Sequence, residues 1–481
     1  MNPNVISTIF VCLHWLVVVG LSVRVIMRRA PVGVSLAWLV VISTTPGIGA
    51  FLYLLVGEKR LGKHRAAYMS ASLKGISSWL HTLRKQEDAV KAPIDEQSEP
   101  MRLHAQQMLG IPALKGNSVE ILSDFQTIFD SLIADIDAAQ NSCHLGFYIW
   151  HEGGRVNDVV DALARAAARG VECLALADAI GSKSFLNSSQ AKKLRSAGVT
   201  LTAALPTGFI RNMIVRRDLR NHRKVVVIDD AIAYTGSQNL ADPRIFKTDS
   251  GVGAWVDAMV RIQGPIIAEF AGVFSFDWSL ENGTSFEAPK PTEQITKHGN
   301  ITAQVIPSGP GLRPEAIHQL FLTAIYSARR ELIITTPYFV PEESILTALL
   351  SAATRGVEVT LIVPAKNDSL LVRFAGVAYF DDLMSAGVRI ALFEGGLLHT
   401  KSITIDGSVS LFGSVNLDIR SLWLNFEISL FIYDAEFTNK LLQLQREYLN
   451  QSTMLDLEEW RQRPTLHRFT EDAFRLLGPL L

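Results

Sequence analysis

Residues 221–242 read NHRKVVVIDDAIAYTGSQNLAD and residues 399–421 read HTKSITIDGSVSLFGSVNLDIRS. Each holds a His-x-Lys-xxxx-Asp followed by Gly-Ser-x-Asn: His222, Lys224, Asp229, Gly236, Ser237 and Asn239 in the first copy, His399, Lys401, Asp406, Gly413, Ser414 and Asn416 in the second. The interval from His to Asn is the same in both, 222 to 239 and 399 to 416. One such pattern arises easily by chance, because a His and a Lys alternating along a strand are ordinarily two polar residues on its wet face. Two copies with the same tetrapeptide at the same distance are a duplication.

The repeat extends upstream, as a duplicated supersecondary unit requires. Tyr148 in GFYIW answers to Tyr338 in TPYFV, Arg169-Gly170-Val171-Glu172 to Arg355-Gly356-Val357-Glu358, and Ser196-Ala197-Gly198-Val199 to Ser385-Ala386-Gly387-Val388. The first copy carries extra residues just before its motif, in PTGFIRNMIVRRDLR. Each unit reads as strand, apolar-faced helix, strand, a helix ending at Gly, then the β-rich motif. That alternation predicts an α/β fold in two related lobes.

The predicted organisation is an anchor at 1–58 with two hydrophobic segments, a polar linker at 59–105, lobe 1 at 106–280, a linker at 281–303, lobe 2 at 304–445 and a carboxy-terminal helical segment at 446–481. Residues 5–23 and 32–57 carry no formal charge, so each is long enough to span a hydrocarbon core of about 30 Å. Arg24, Arg28 and Arg29 follow the first segment rather than precede it, which argues against a cleaved signal peptide. Pro46 and Gly47 interrupt the second. The carboxy-terminal segment, with Trp460, Phe474 and Leu476, is expected to dock on the catalytic body, with a membrane-surface helix as the alternative.

Composition narrows the function. A chain of 481 residues with 48% apolar content can form two cores, and a net charge of −1 argues against a general nucleic-acid binder. Cys12, Cys143 and Cys173 fit no metal-ligand spacing and read as small buried hydrophobes. Asp135 and Asp137 fall in a helical segment and read as its solvated face.

Two imidazoles facing one phosphodiester can act as nucleophile and general acid in one step, one neutral and one protonated. A Lys two residues along a strand shares the face of its His, so Lys224 and Lys401 would sit beside the phosphorus. Ser237, Asn239, Ser414 and Asn416 would add hydrogen bonds to its oxygens. No metal or cofactor is required. Asp229 and Asp406 end their strands before a turn, where they either serve the chemistry or hold the structure in register.

These residues resemble the phospholipase D superfamily, whose defining motif is this pair, over roughly residues 110–450. Within it the chain resembles the bacterial cardiolipin synthases with two motifs, through its two amino-terminal hydrophobic segments and the second motif's run to NFEISL. The resemblance implies two phospholipase D-like lobes related by a pseudo-two-fold axis, one site at their interface, and a phosphohistidine, with His222 as nucleophile and His399 as acid then base. It implies phosphatidylglycerol as substrate, cardiolipin and glycerol as products, no nucleic-acid partner, and residence in the bacterial cytoplasmic membrane by more than one pass. It also implies a carboxylate on a later strand behind each His. Glu427, in NFEISL, is expected to orient His399, and Asp257, in WVDAMV, to orient His222. The family's Asp before the first His is Asn221 here.

The five arginines Arg211, Arg216, Arg217, Arg220 and Arg223, interleaved with apolar residues, are expected to meet anionic headgroups. Hydrolysis of phospholipid or nucleic acid by the same motifs is the alternative activity. An inactive lipid-binding scaffold is the reading from a different class.

Overall fold

The computed structural model describes residues 3–28, 32–45, 47–57, 63–89, 94, 96–206, 218–289, 296–311 and 313–476. The chain divides into two compact units, an amino-terminal helical one and a larger one formed by Ala67–Pro206 with Leu219–Leu481. In the first unit Pro3–Met27 is one helix, and the second hydrophobic segment forms two, Val32–Thr44 and Ile48–Val56. Gly47 separates them in the left-handed backbone region, at φ 73°, where a helix cannot continue. Among the described residues no helix is long and apolar enough to cross a membrane.

The larger unit is built on one sheet of fifteen strands. From one outer edge the order is Thr200–Ala204, Glu172–Asp178, Ser142–Phe147, Val225–Ile228, Ile232–Gly236, Met259–Gln263 and Leu114–Leu122. From the other it is Ser452–Met454, Arg389–Phe393, Glu358–Pro364, Glu331–Thr335, Ser402–Ile405, Val409–Gly413, Glu427–Tyr433 and Ile301–Ser308. Apart from the added strand Ser452–Met454, the two halves have the same order. They meet where Leu114–Leu122 runs antiparallel to Ile301–Ser308, equivalent strands of the two halves. Antiparallel pairing of equivalents is what a local two-fold axis produces, so the duplication is a pair of α/β lobes sharing one sheet.

Helices cover both faces for the usual reason, burial of an apolar stripe. In Arg155–Ala168 the residues Val156, Val159, Val160 and Leu163 recur at helical spacing, and all are buried. Asp124 caps the helix Phe125–Ala138 by accepting from Thr127 N. The pair on that helix is not a free solvated face: Asp135 binds Arg261 at 2.7 Å and Asp137 binds Arg165 at 2.7 Å. Cys143 and Cys173 are buried register partners on neighbouring strands.

Two expectations about the flanking segments change. The stretch 59–105 is largely helical, in Lys63–Ala89 and Glu99–Leu109. It is no loose linker, because Trp79 and Leu83, one turn apart, are buried with Ile111 and Phe286, and Met101 and Ala105 lie in the lobe 2 core. Its charged residues concealed this apolar spacing. At the other end, Ala435–Asn450 is a core helix and Ser452–Met454 extends the sheet beside Arg389–Phe393.

Candidate active site

Both motif histidines stand just before an inner strand of their own lobe and are held from the other lobe. His222 N donates to Phe426 O at 2.8 Å, and His399 N donates to Val256 O at 2.8 Å. Asn221 bridges to Phe426, and Leu398 pairs with Val256, both in parallel register. The residues that follow these partners are Glu427 and Asp257. Consequently His222 Nδ1 lies 2.9 Å from Glu427 Oε2, and His399 Nδ1 lies 2.6 Å from Asp257 Oδ1.

This reverses the expected pairing. Counting along the chain assigned each carboxylate to the histidine of its own lobe, Glu427 to His399 and Asp257 to His222. The strands Glu427–Tyr433 and Met259–Gln263 lie toward the centre of the sheet, so the carboxylates at or just before their starts, Glu427 and Asp257, face the opposite lobe. Intervals along one chain carry no record of which strand crosses a two-fold axis.

The electrostatics follow from burial. Asp257 is pushed up by desolvation, but the charges of His399 and Lys401 and a hydrogen bond from Ser237 outweigh that and hold it at about 2. Glu427 is likewise held below its usual range: against the upward push of burial stand His222, Lys224 and Ser414. Both are therefore carboxylates, able only to accept, so each histidine donates from Nδ1 and keeps Nε2 for a reacting group. Burial pushes His399 down to about 4 and lowers His222, in each case against the pull of the paired carboxylate. Both rings therefore tend toward the neutral form, where one was expected to be protonated. Lys224 is lowered to about 8 and Lys401 well below its ordinary value, again by burial.

Both histidines open on one cavity of about 390 Å³, which Asn239 and Asn416 also line. Asn239 accepts from Ile149 N, while its Nδ2, buried, has no partner among the described residues and is a donor available to an oxyanion. Lys224 and Lys401 lie behind the histidines, each donating to the carbonyl of its own motif His. A larger depression of about 680 Å³ beside Gln97, Tyr326 and Arg355 contains neither histidine.

Ser237 and Ser414 do not face the cavity as expected. Ser414 Oγ donates to Glu427 Oε2 at 2.6 Å and accepts from Ile428 N, and Ser237 Oγ accepts from Ala258 N at 3.0 Å. They grip the strands that carry the carboxylates. The preceding glycines permit this contact, since a side chain at Gly236 or Gly413 would collide with the backbone of Ala258 or Ile428. Asp229 and Asp406 lie outside the cavity lining. Asp229 accepts from the amides of Gln140, Asn141 and Ser142, and Asp406 from those of Arg329, Arg330 and Glu331. Each sits at φ near +50° and closes the turn beneath its lobe.

Several residues went unassigned from sequence. The ring of Tyr148 packs 4.8 Å from that of His222, and Trp255 packs 4.4 Å from His399. Tyr148 was legible as a repeated position, and Trp255 stands two residues before Asp257. Asp178, fully buried, accepts from Asn221 N and pairs with Arg220 at 3.2 Å, while Asp277 pairs with Arg223 at 2.5 Å. Arg220 and Arg223 thus belong to buried ion pairs, and Arg220 also lines the cavity that holds both histidines. Arg211, Arg216 and Arg217 lie outside the described residues.

Comparison with known proteins agrees with this architecture. Residues 132–278 and 321–448 match the family described as "Cardiolipin synthase, PLD-like domain", and residues 16–58 match "Phospholipase_D-nuclease N-terminal". Cardiolipin synthase A of Yersinia pseudotuberculosis serotype O:1b (strain IP 31758) is 44% identical over 481 residues, covering 99% of each chain, and so is cardiolipin synthase A of Yersinia pestis. The crystal structure of phosphatidylserine synthase from Haemophilus influenzae Rd KW20 shares the fold, with a TM-score of 0.60 at 14% identity over 81% of this chain and all of that one. With two matching lobes and relatives aligned from end to end, the chain belongs to the cardiolipin synthase family of phospholipase D-like proteins.

Proposed function

We propose that this protein transfers a phosphatidyl group from one phosphatidylglycerol to the hydroxyl of a second, giving cardiolipin and free glycerol. The observation that carries the proposal is the presence, in one cavity, of two imidazoles whose Nδ1 atoms are each fixed by a carboxylate of the opposite lobe. That arrangement supplies an attacking nitrogen and a proton donor with no side chain shared between them. His222 Nε2 attacks phosphorus, the P–O bond to glycerol breaks, and protonated His399 delivers its proton to the departing oxygen. The phosphatidyl group then rests on His222 until the second lipid's hydroxyl, deprotonated by His399, displaces it. One phosphodiester replaces another, so no outside energy source enters the balance.

Burial by the protein alone disfavours imidazolium. An anionic phosphodiester entering beside His399 reverses that bias by favouring the charged ring, so protonation accompanies substrate binding. Asn239 Nδ2 would bear the charge that grows on the non-bridging oxygens, and the two lysines behind the histidines add positive potential to the cavity. We place the catalytic body at the bacterial cytoplasmic membrane, held by the uncharged amino-terminal segments.

The test is to trap the intermediate. Phosphatidylglycerol labelled in its phosphate, denatured without acid, should leave label on the peptide containing His222, because a phosphoramidate survives base. His399→Asn should prolong its life by removing the base of the second step. Label on His399 would exchange the roles. Absence of label under every quench, with kinetics that require both lipids before glycerol leaves, would remove the covalent route. Phosphatidic acid as the sole product would make the protein a hydrolase.

A further inference from the structure

The carboxy-terminal helix Thr465–Arg475 has two apolar faces where docking on the body needs one. Its inner side is accounted for: Phe474 stacks on Phe374 at 5.3 Å, and the buried Glu471 binds Arg463 at 2.7 Å. Leu466, Phe469, Ala473 and Leu476 recur at three- and four-residue intervals on a different side. They are not covered by the protein: Leu466 is 73% exposed, Phe469 69% and Leu476 79%. Scattered exposed leucines need no explanation, but a continuous stripe on an amphipathic helix does.

Exposed apolar residues also stand beside the catalytic cavity, on the helix against which Thr465–Arg475 packs. Phe374 belongs to the helix Leu370–Val377, which packs along Thr465–Arg475. One turn before Phe374, Leu370 and Leu371 are also exposed, at 65% and 44%. Their immediate neighbours Ser369 and Val372 line the cavity that holds His222 and His399. Exposed cations flank the stripe, Arg373, Arg468 and Arg475, against the single exposed acid of the carboxy-terminal helix, Asp472.

We propose that this surface is a bilayer-docking face, which seats on anionic lipid and brings the cavity rim down to the headgroups. The inference rests on the lipid-transfer reading above, but it names a contact that the reading does not require. A partly inserted helix with an apolar face and flanking arginines gains from both acyl-chain burial and headgroup attraction. Phosphatidylglycerol supplies both. Two substrates that live in the bilayer can then reach the histidines without leaving it completely.

The experiment uses the full chain in lipid nanodiscs. In a Cys12→Ser background, with Cys143 and Cys173 buried, Phe469→Cys carries an environment-sensitive fluorophore. Brominated phosphatidylglycerol should quench it by about half or more relative to the unbrominated lipid, and aqueous iodide should fail to reach it. Free access of iodide with no bromine quenching would overturn the proposal. So would shielding of the label in detergent without lipid together with dimer formation, which would make the face a contact between copies. Independently, Leu466→Glu with Phe469→Glu should lower turnover of bilayer phosphatidylglycerol about tenfold while leaving a short-chain, monomerically dispersed form unaffected. Equal activity of the variant and its parent on the bilayer substrate would also overturn it. If the parent itself turns over neither lipid, the transferase reading fails while the quenching result still decides the docking face.

Discussion

The two lobes carry the same parts in the same order, yet they are not equivalent around their histidines. His222 is held by a glutamate and packed by a tyrosine, whereas His399 is held by an aspartate and packed by a tryptophan. His399 is the more enclosed, with 3% of its side chain exposed against 10% for His222. Duplication gives two interchangeable groups, and the proposed reaction assigns them different roles in surroundings that have diverged. Two coupled rings facing one site can hold a single proton between them, and the differing surroundings bias which ring carries it.

Removing one ring at a time has the largest expected effect. His222→Ala and His399→Ala should each lower cardiolipin formation about 10³-fold or more, measured from labelled phosphatidylglycerol, while expression and membrane fractionation stay normal. A variant retaining more than a few per cent would show that the lobes do not share one reaction.

Exchanging one carboxylate sharpens it. Glu427→Gln should slow turnover on the order of 10²-fold, and Asp257→Asn similarly. The sign is fixed by the pairing: the carboxylate favours imidazolium, so its loss lowers the partner's pKa and moves the corresponding limb of the rate profile to lower pH. Imidazole nitrogen NMR resolves which ring responds. Glu427→Gln should perturb His222 and leave His399 nearly unmoved, and the opposite result would restore pairing within each lobe.

A subtler difference concerns acid stability. His399, held near 4 against an ordinary value of 6.5, is neutral when folded and takes up a proton on unfolding. Stability therefore falls as pH drops from about 6.5 toward 4. Replacing His399 with Asn should flatten the melting temperature over that window.

The smallest effect on rate is expected from the motif aspartates. Asp229→Ala and Asp406→Ala each leave three backbone amides, exposed or half-buried, without their charged acceptor, which should cost about 1–3 kcal/mol in denaturant unfolding. Turnover per folded molecule should stay within a few-fold of the parent. A loss as large as that of a histidine variant would return these residues to the chemistry.

The sequence was legible wherever information is local or repeated. Alternating helix and strand signals, the two motifs and the equivalence of Tyr148 with Tyr338 led to a duplicated α/β architecture. What could not be read was pairing across the axis: Glu427 and Asp257 were recognised as residues, but their partners were exchanged. Similarly, Arg220 and Arg223 looked like surface charge because their acids, Asp178 and Asp277, are distant in sequence. Ser237 and Ser414 were placed on the substrate because spacing shows which residues are near a site, not which direction a hydroxyl points.

The exchange of carboxylates also bears on how activity appears during synthesis. His222, Lys224 and Asp257 have all left the ribosome long before Glu427 is translated. Until then the first histidine has no counter-ion, and the second, His399, precedes Glu427 by only a short stretch of chain. A half-made chain therefore lacks at least one of the two histidine–carboxylate pairs, and both are complete only when the last inner strand closes against the first lobe.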